Sequence, residues 1–458
     1  MTSVAVVGGG LAGLTVAEAL LARGGPGLDL TVFERQARAG GLVRSERTDG
    51  FLYEHGPAGF LDHAPATLAL VERLGLTGRL LPSRDLARRR YVFRAGKLRA
   101  LPSSPASLLS SGVLPAAGLL RLMAEPLVRT SPAGEDETIH AFARRRFGRH
   151  AAEVLADVVA SGIFGGDARA LSMRSCFPDV AAMEREHGSV MRGMAARRRA
   201  AGPSGSRGPA RLTSFPDGLG ELVAALADRL GARLRLATAV ERIERADGRF
   251  VLALDGGGSA MADAVVVTCD LPAARRMLAA DRDLTALLAA VPWAPMVTVA
   301  LGYPASSLER PLDGFGLLAP RQAGLRVLGA LWESSIFDHR APPGHVLVRA
   351  MLGGATDPDA GSLDDGALVD LVRADLRTAM GLAAPPVLAR VVRIRPGLPQ
   401  FVVGHAARLE AIDRALAARP GLHLGGHGLR GVGVNALIED ASHLAARLAG
   451  AAATPLPA

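Results

Sequence analysis

Residues 4–34 hold the feature that most narrows the folds open to this chain. Val4–Val7 is a short apolar run, Gly8-Gly9-Gly10-Leu11-Ala12-Gly13 a glycine-rich turn, and Leu14–Arg23 carries apolar residues at helical spacing. Leu28–Phe33 reads as a second strand and ends in Glu34. Strand, turn, helix and strand within about thirty residues form the β-α-β unit of a dinucleotide-binding fold. Each glycine has a use there. Gly8 permits the tight turn, Gly10 lets the backbone approach a pyrophosphate, and Gly13 allows close helix–strand packing. The helix N-terminus offers unpaired N–H groups and a favourable dipole to the anion. Glu34 follows about 20 residues later, where its carboxylate can accept both ribose hydroxyls.

The residues after Glu34-Arg35 favour FAD over NAD. A second glycine pair in Gly40-Gly41-Leu42-Val43-Arg44-Ser45 lets the chain turn back over the flavin end of a long dinucleotide, and Phe51-Leu52-Tyr53-Glu54-His55-Gly56-Pro57 follows. This run resembles the E-R-x(4)-GG-x(2)-R-S…[DE]-x-G-P pattern of the amine-oxidase-like flavoprotein superfamily. Within it, four stretches resemble the oxygen-dependent protoporphyrinogen oxidases: Asp136–His140 with Phe147-Gly148; Ser161–Asp167 with Leu171-Ser172 and Cys176-Phe177-Pro178; Asp313–Gly316 with Leu328–Trp332; and Gly431–Asn435.

The resemblance implies an α/β (α+β) chain: a discontinuous Rossmann-type FAD domain (1–56, 209–272 and 408–458), a substrate domain (57–88 and 273–407) and a helical, membrane-binding insertion (89–208). It implies FAD as cofactor, molecular oxygen as acceptor and a porphyrinogen as substrate. FAD is expected at Gly8, Gly9, Gly10, Leu11, Ala12, Gly13, Glu34, Arg35, Gly41, Leu42, Arg44, Gly56, Pro57, Ala58, Gly59, Val240, Val432, Gly433 and Val434. In the last three, backbone N–H groups and the following helix would face the flavin pyrimidine. The flavin is itself the hydride acceptor, so no catalytic triad is required; Gly162 matches the family glycine whose carbonyl faces the substrate.

A porphyrinogen carries propionates on a flat apolar macrocycle. It therefore needs a cation, expected at Arg90 with its bidentate guanidinium, and apolar walls, expected at Phe315, Leu317 and Trp332. The bland readings are a solvated run for Arg88-Arg89-Arg90, ordinary core packing for the walls, a plain turn glycine for Gly162 and helix entry for Val432–Val434. An amine oxidase would want an aromatic cage at the flavin, against three tyrosines here; a carotenoid desaturase leaves Arg90 without a use. Coproporphyrinogen III is the nearest rival substrate, and a degenerate flavoprotein without turnover the non-enzyme alternative. That alternative rests on the C-terminal turn, where Gly426-His427 replaces Gly-Asn and Asn435-Ala436-Leu437-Ile438 replaces N-D-C-I. A lone His427 reads as structural, not catalytic.

Elsewhere the pattern predicts a hairpin over Arg90–Leu101, helices from Pro102 to Arg199, an open loop over Ala200–Ala210, and a helix at Leu219–Leu230. Strands follow at Leu234–Ala239, Phe250–Leu254, Ala264–Thr268 and Leu422–Gly426, and a last helix at Asn435–Leu448. The net charge of +9 admits nucleic acid, a membrane surface or an acidic small molecule; no nucleic-acid motif accompanies it. Cys176 and Cys269 stand too far apart for a metal or redox motif, so no metal is expected. With no signal peptide and no spanning apolar run, the expected place is the cytoplasm, with peripheral membrane contact through the apolar stretch within Pro102–Arg129. A homodimer is compatible with all of this.

Overall fold

The computed structural model describes residues 3–24, 28–101, 111–131, 135–200 and 210–452. Parts of the Pro102–Arg129 and Ala200–Ala210 readings lie outside them. Ser3–Val7, buried along its whole length, is the middle strand of a five-stranded parallel sheet. Its neighbours are Asp29–Phe33 and Ala264–Val267, with Leu234–Arg235 and Leu422–Leu424 at the edges. The unbroken apolar runs of the central strands suit burial on both faces. On one face pack the helices Leu11–Gly24, Gly220–Leu230 and Val434–Ala452, through Leu14, Leu20, Leu222, Leu226, Ile438 and Leu444. Under the other lie Ile243 and Leu252 of a three-stranded antiparallel sheet, and Leu271, Leu284 and Leu288 of the helices Leu271–Met277 and Arg282–Ala289.

The second body is a seven-stranded sheet in the order Leu388–Pro399, Trp293–Pro304, His345–Gly353, Gly329–Leu331, Gly316–Leu318, Tyr91–Arg94, Lys97–Ala100. One face is covered by the helix Asp365–Met380, whose Leu368, Val372 and Leu376 meet Val297, Val299, Leu301 and Val348. Asp364 caps that helix by accepting the Ala367 N–H at 2.8 Å, and Gly381 ends it in a left-handed turn. The third group is the helices Ala116–Met123, Ile139–Phe147, Asp157–Phe164, Pro178–His187 and Val190–Ala200. Phe142, Ala160, Phe164, Leu171 and Phe401 form their shared core. A fully buried Arg146–Glu125 pair ties them together, since Glu125 also accepts the Ser189 hydroxyl and the Val190 N–H at the start of the last of these helices.

Packing redraws the boundaries read along the chain. The hairpin Tyr91–Ala100, placed with the helices of 89–208, pairs through Tyr91 and Val92 with Leu317 and Leu318 and joins the large sheet. Within 57–88, the helix Pro65–Arg73 buries Leu70 and Val71 in the nucleotide-side core. Within 273–407, Met277, Leu284 and Leu288 pack under the nucleotide sheet. The strand expected over 234–239 stops at Arg235, because Ala237 turns to φ 48° and gives its N–H to Gln36.

Candidate functional site

The glycine turn closes on itself before it meets any ligand. Gly8, at φ +112°, donates to the Phe33 carbonyl at 2.9 Å. A Cβ at Gly13 would stand 1.9 Å from the Gly8 oxygen, so only glycine fits. Glu34 is buried and accepts two backbone donors, the Gly9 N–H at 2.7 Å and the Gln36 N–H at 2.8 Å. A carboxylate has about four acceptor positions, which leaves room for two hydroxyls. Above Gly10 there is open space: a Cβ there would meet nothing nearer than Gly41 Cα at 4.0 Å. Gly41 lies there because the Gly40 N–H donates to the Gly9 carbonyl at 2.8 Å. Arg38 reaches the Gly41 carbonyl at 3.1 Å; Arg35 points outward and is exposed. Leu11 and Ala12 are buried at the helix start. This cradle fits a dinucleotide: a tight turn, an open face over it, and a carboxylate with spare lone pairs at its end.

Beyond the cradle, Arg44 pairs with Glu46 at 2.8 Å, which also accepts the Tyr53 hydroxyl at 2.6 Å and faces His55 at 2.9 Å. The Tyr53 hydrogen bond, helped by His55 and Arg44, holds Glu46 below the usual carboxylate range despite partial burial. Burial lowers His55. Leu42 is exposed, and its carbonyl would lie 2.4 Å from a Cβ at Gly56. Gly59 is held as closely against Thr213, Pro57 is half-buried, and Ala58 is buried beside Phe337. The 236–240 segment reaches this region because the Thr238 N–H donates to the Glu34 carbonyl at 2.8 Å; Val240 follows, packed against the core beneath the nucleotide sheet.

The C-terminal turn comes to the same end of the sheet. A Cβ at Gly426 would lie 3.3 Å from Ala12 Cβ. Val432 packs against the Phe401 cluster, Gly433 is exposed with no atom within 4 Å of a Cβ, and Val434 is buried at the start of the final helix. His405 stacks on Phe401 and bonds the Leu429 carbonyl at 2.8 Å. Asn435 accepts from Thr67 and donates to the Leu61 carbonyl. His427 lies edge-on to Trp293, and burial pushes it down to about 4, so it is neutral at pH 7.

Among the residues expected to meet the substrate, Gly162 is half-buried in its helix, and a Cβ there would stand 2.9 Å from Leu318 Cδ2. Leu317 points the other way, into the core under Asp365–Met380. Trp332 sits in that same core, 1% exposed, with its ring 5.3 Å from Tyr91. These two expected walls are therefore core residues. Strand alternation carries Leu318 and Leu331 to the opposite face, where Met296, Met351 and Ile394 form a further apolar cluster. The alternation was present in the sequence, but its phase is set only once Leu317 is known to be buried. Phe315 is half-buried, with the Arg90 guanidinium 5.1 Å from its ring centre. Arg88 pairs with Asp85 and Arg89 with Asp313. Among the described residues, Arg90 is the arginine of the three with no ion-pair partner. Sequence reasoning also missed Arg349, which is buried, pairs with Glu333 and donates to the Gly56 carbonyl at 2.8 Å.

The family described as flavin containing amine oxidoreductase matches residues 11–449. The chloroplastic protoporphyrinogen oxidase of rice (Oryza sativa subsp. japonica) is 33% identical, over 97% of this chain and 87% of its own. The coproporphyrinogen III oxidase of Bacillus subtilis (strain 168) is 29% identical, over 95% and 96%. A crystal structure from Exiguobacterium sp. 255-15, provisionally assigned to protoporphyrinogen oxidase, superposes with a TM-score of 0.84 at 26% identity, over 98% and 99% of the two chains.

Proposed function

The chain belongs to the flavin containing amine oxidoreductase family, and on that premise we propose that it oxidises protoporphyrinogen IX to protoporphyrin IX in haem biosynthesis. FAD, when bound, supplies the hydride acceptor and hands the electrons to oxygen. Six hydrogens leave the macrocycle, and three molecules of O2 become three of hydrogen peroxide. The chain's own part is binding, orientation and exclusion of water. Glu34 takes the ribose, the Gly8–Gly13 turn the pyrophosphate, and the 40–44 and 56–59 segments border the flavin. The N-terminus of Val434–Ala452 favours negative charge on the reduced ring. The sheet face of Leu318, Leu331 and Met351 receives the apolar macrocycle, Gly162 bounds it, and Arg90 pairs a propionate.

The observation that carries the reading is the near-full-length likeness to the rice enzyme; Arg90 beside Phe315, with no ion-pair partner among the described residues, supports it, because the substrate is a carboxylate on an apolar ring. The likeness to the Bacillus enzyme over nearly its whole length favours coproporphyrinogen III as the second reading. Among the described residues no helix is long and apolar enough to cross a membrane. Leu120, Met123 and Leu127, at 70%, 67% and 84% exposure, support peripheral contact with a cytoplasmic membrane face.

The test is aerobic. Each porphyrinogen is added separately to purified flavin-loaded protein, and porphyrin fluorescence and peroxide are followed. Emission with peroxide from protoporphyrinogen IX supports the proposal. Emission from coproporphyrinogen III alone transfers it to the second reading, and none from either, with flavin bound, overturns both.

A further inference from the structure

Two ion pairs lie buried where the segment 54–59 meets the large sheet. Arg349 of the strand His345–Gly353 donates from Nε to Glu333 at 2.8 Å, and the two side chains are 3% and 1% exposed. Arg340 faces Glu54 at 3.5 Å, both 1% exposed. Charges so deeply buried add little to stability compared with apolar residues of the same volume. What they provide here is directed hydrogen bonding across chain segments far apart in sequence. From NH1, Arg349 donates to the Gly56 carbonyl at 2.8 Å, 293 positions away. Glu54 accepts the Ser45 hydroxyl and the Leu219 N–H.

We infer that Arg349, aimed by Glu333, is a positioning residue that holds the Gly56–Gly59 segment in its cofactor-binding shape. The inference rests on the proposed flavin contact of that segment. Its physical basis is the fork of the guanidinium. One nitrogen is fixed by Glu333, which leaves another at a set angle toward the Gly56 oxygen, an arrangement that the single nitrogen of lysine cannot reproduce. Besides Ala58, which packs in the cluster of Phe337, the segment has little to steady it by side chains. Gly56 and Gly59 have none, and an added Cβ at either would stand 2.4 Å from a backbone carbonyl oxygen, so neither place admits a side chain. The large sheet thus sets the height of the loop that borders the flavin.

The test compares apparent Kd for FAD, measured by flavin-fluorescence quenching on full-length apoprotein, together with the visible absorption of the bound flavin. The double variant Glu333→Gln/Arg349→Met removes both charges, so no lone charge is left buried. Leu368→Ala, a core truncation on the opposite face of the sheet, controls for general loosening. The expected result is a 10- to 100-fold weaker Kd and a shifted flavin spectrum in the double variant, with wild-type values in folded Leu368→Ala. Wild-type affinity and spectrum in the double variant, or an equal loss in Leu368→Ala, overturns the inference. If circular dichroism shows the double variant unfolded, Arg349→Lys is read by the same criterion. A wild-type chain that fails to bind FAD would instead overturn the proposed function.

Discussion

Glu54 shows what a single residue can reveal that its sequence position does not. Burial pushes its carboxyl up to about 7, against the pull of Arg340, the Ser45 hydroxyl at 2.7 Å and the Leu219 N–H at 2.9 Å. The folded value lies above the unfolded one, so the folded state keeps a proton that the unfolded chain gives up. The resulting stability is fully present below about pH 4.5 and is lost as pH rises through about 7. A shift of this size corresponds to up to ~3 kcal/mol. Glu54→Gln keeps an acceptor for Leu219 but cannot titrate. Urea unfolding at pH 5 and pH 8 should show the wild type losing up to ~3 kcal/mol more than the variant; parallel losses would place the titration elsewhere. Arg90 is a different case, exposed and, among the described residues, without an ion-pair partner. Arg90→Ala should raise KM for the porphyrinogen about 10- to 100-fold, as loss of a charge-assisted contact does. Arg89→Ala, whose partner is Asp313, should change KM by no more than about twofold. Steady-state kinetics on the two variants decides it, and an unchanged KM in Arg90→Ala removes that residue from the site.

Elements were legible wherever their reason was local. The turn 8–13 and Glu34 could be read because glycine geometry and strand–helix spacing act within a few dozen residues. The hairpin turn at Ala95-Gly96 was readable for the same reason, and Ala95 takes φ 51° there. Which sheet the hairpin joins was not, since its partner strand begins at Gly316. The helix Ala116–Met123 divides the same way. Its apolar spacing showed in the sequence; its orientation did not. Leu119 faces inward, and Arg121 turns in to bond the Arg145 and Arg146 carbonyls. The outward side is Leu120, Met123 and, one turn on, Leu127. Burying side chains of this kind yields roughly 1.5–3 kcal/mol each, so Leu120→Gln/Met123→Gln/Leu127→Gln should weaken vesicle binding by about 100-fold or more. Because the three are exposed, the variant should melt as the wild type does. Sedimentation with anionic phospholipid vesicles measures the difference, and a wild type that stays in the supernatant refutes membrane contact.

At the scale of the whole molecule, the chain passes repeatedly between its two largest sheets. Strands at 3–7 and 29–33 enter the parallel sheet, 91–100 the large one, 234–235 and 264–267 return, strands within 293–399 leave again, and 422–424 close the first. Such pairings between distant segments are what periodicity cannot rank, which is why the domain pieces were visible as pieces but their boundaries were not. The interlacing also bears on stability. The hairpin Ser45–Glu54, which follows the second glycine pair, buries Phe51 and Tyr53 against Ala300, Leu347 and Leu388 of the large sheet. Arg340 and Arg349 bind that sheet's side to the same segment. Neither body can unfold without pulling strands or buried charges from the other. Two bodies of this size joined only by a linker would melt separately; these should melt in one calorimetric transition, with calorimetric and van't Hoff enthalpies equal. FAD at about 100 times its Kd adds ~2.7 kcal/mol. Against an unfolding entropy of about 1 kcal/mol/K for a chain this long, that raises the single Tm by about 3 °C. If scanning calorimetry resolves two peaks and FAD moves only one of them, the nucleotide body is held by its own core, and the buried contacts at Gly56 and Glu54 do not couple it to the large sheet.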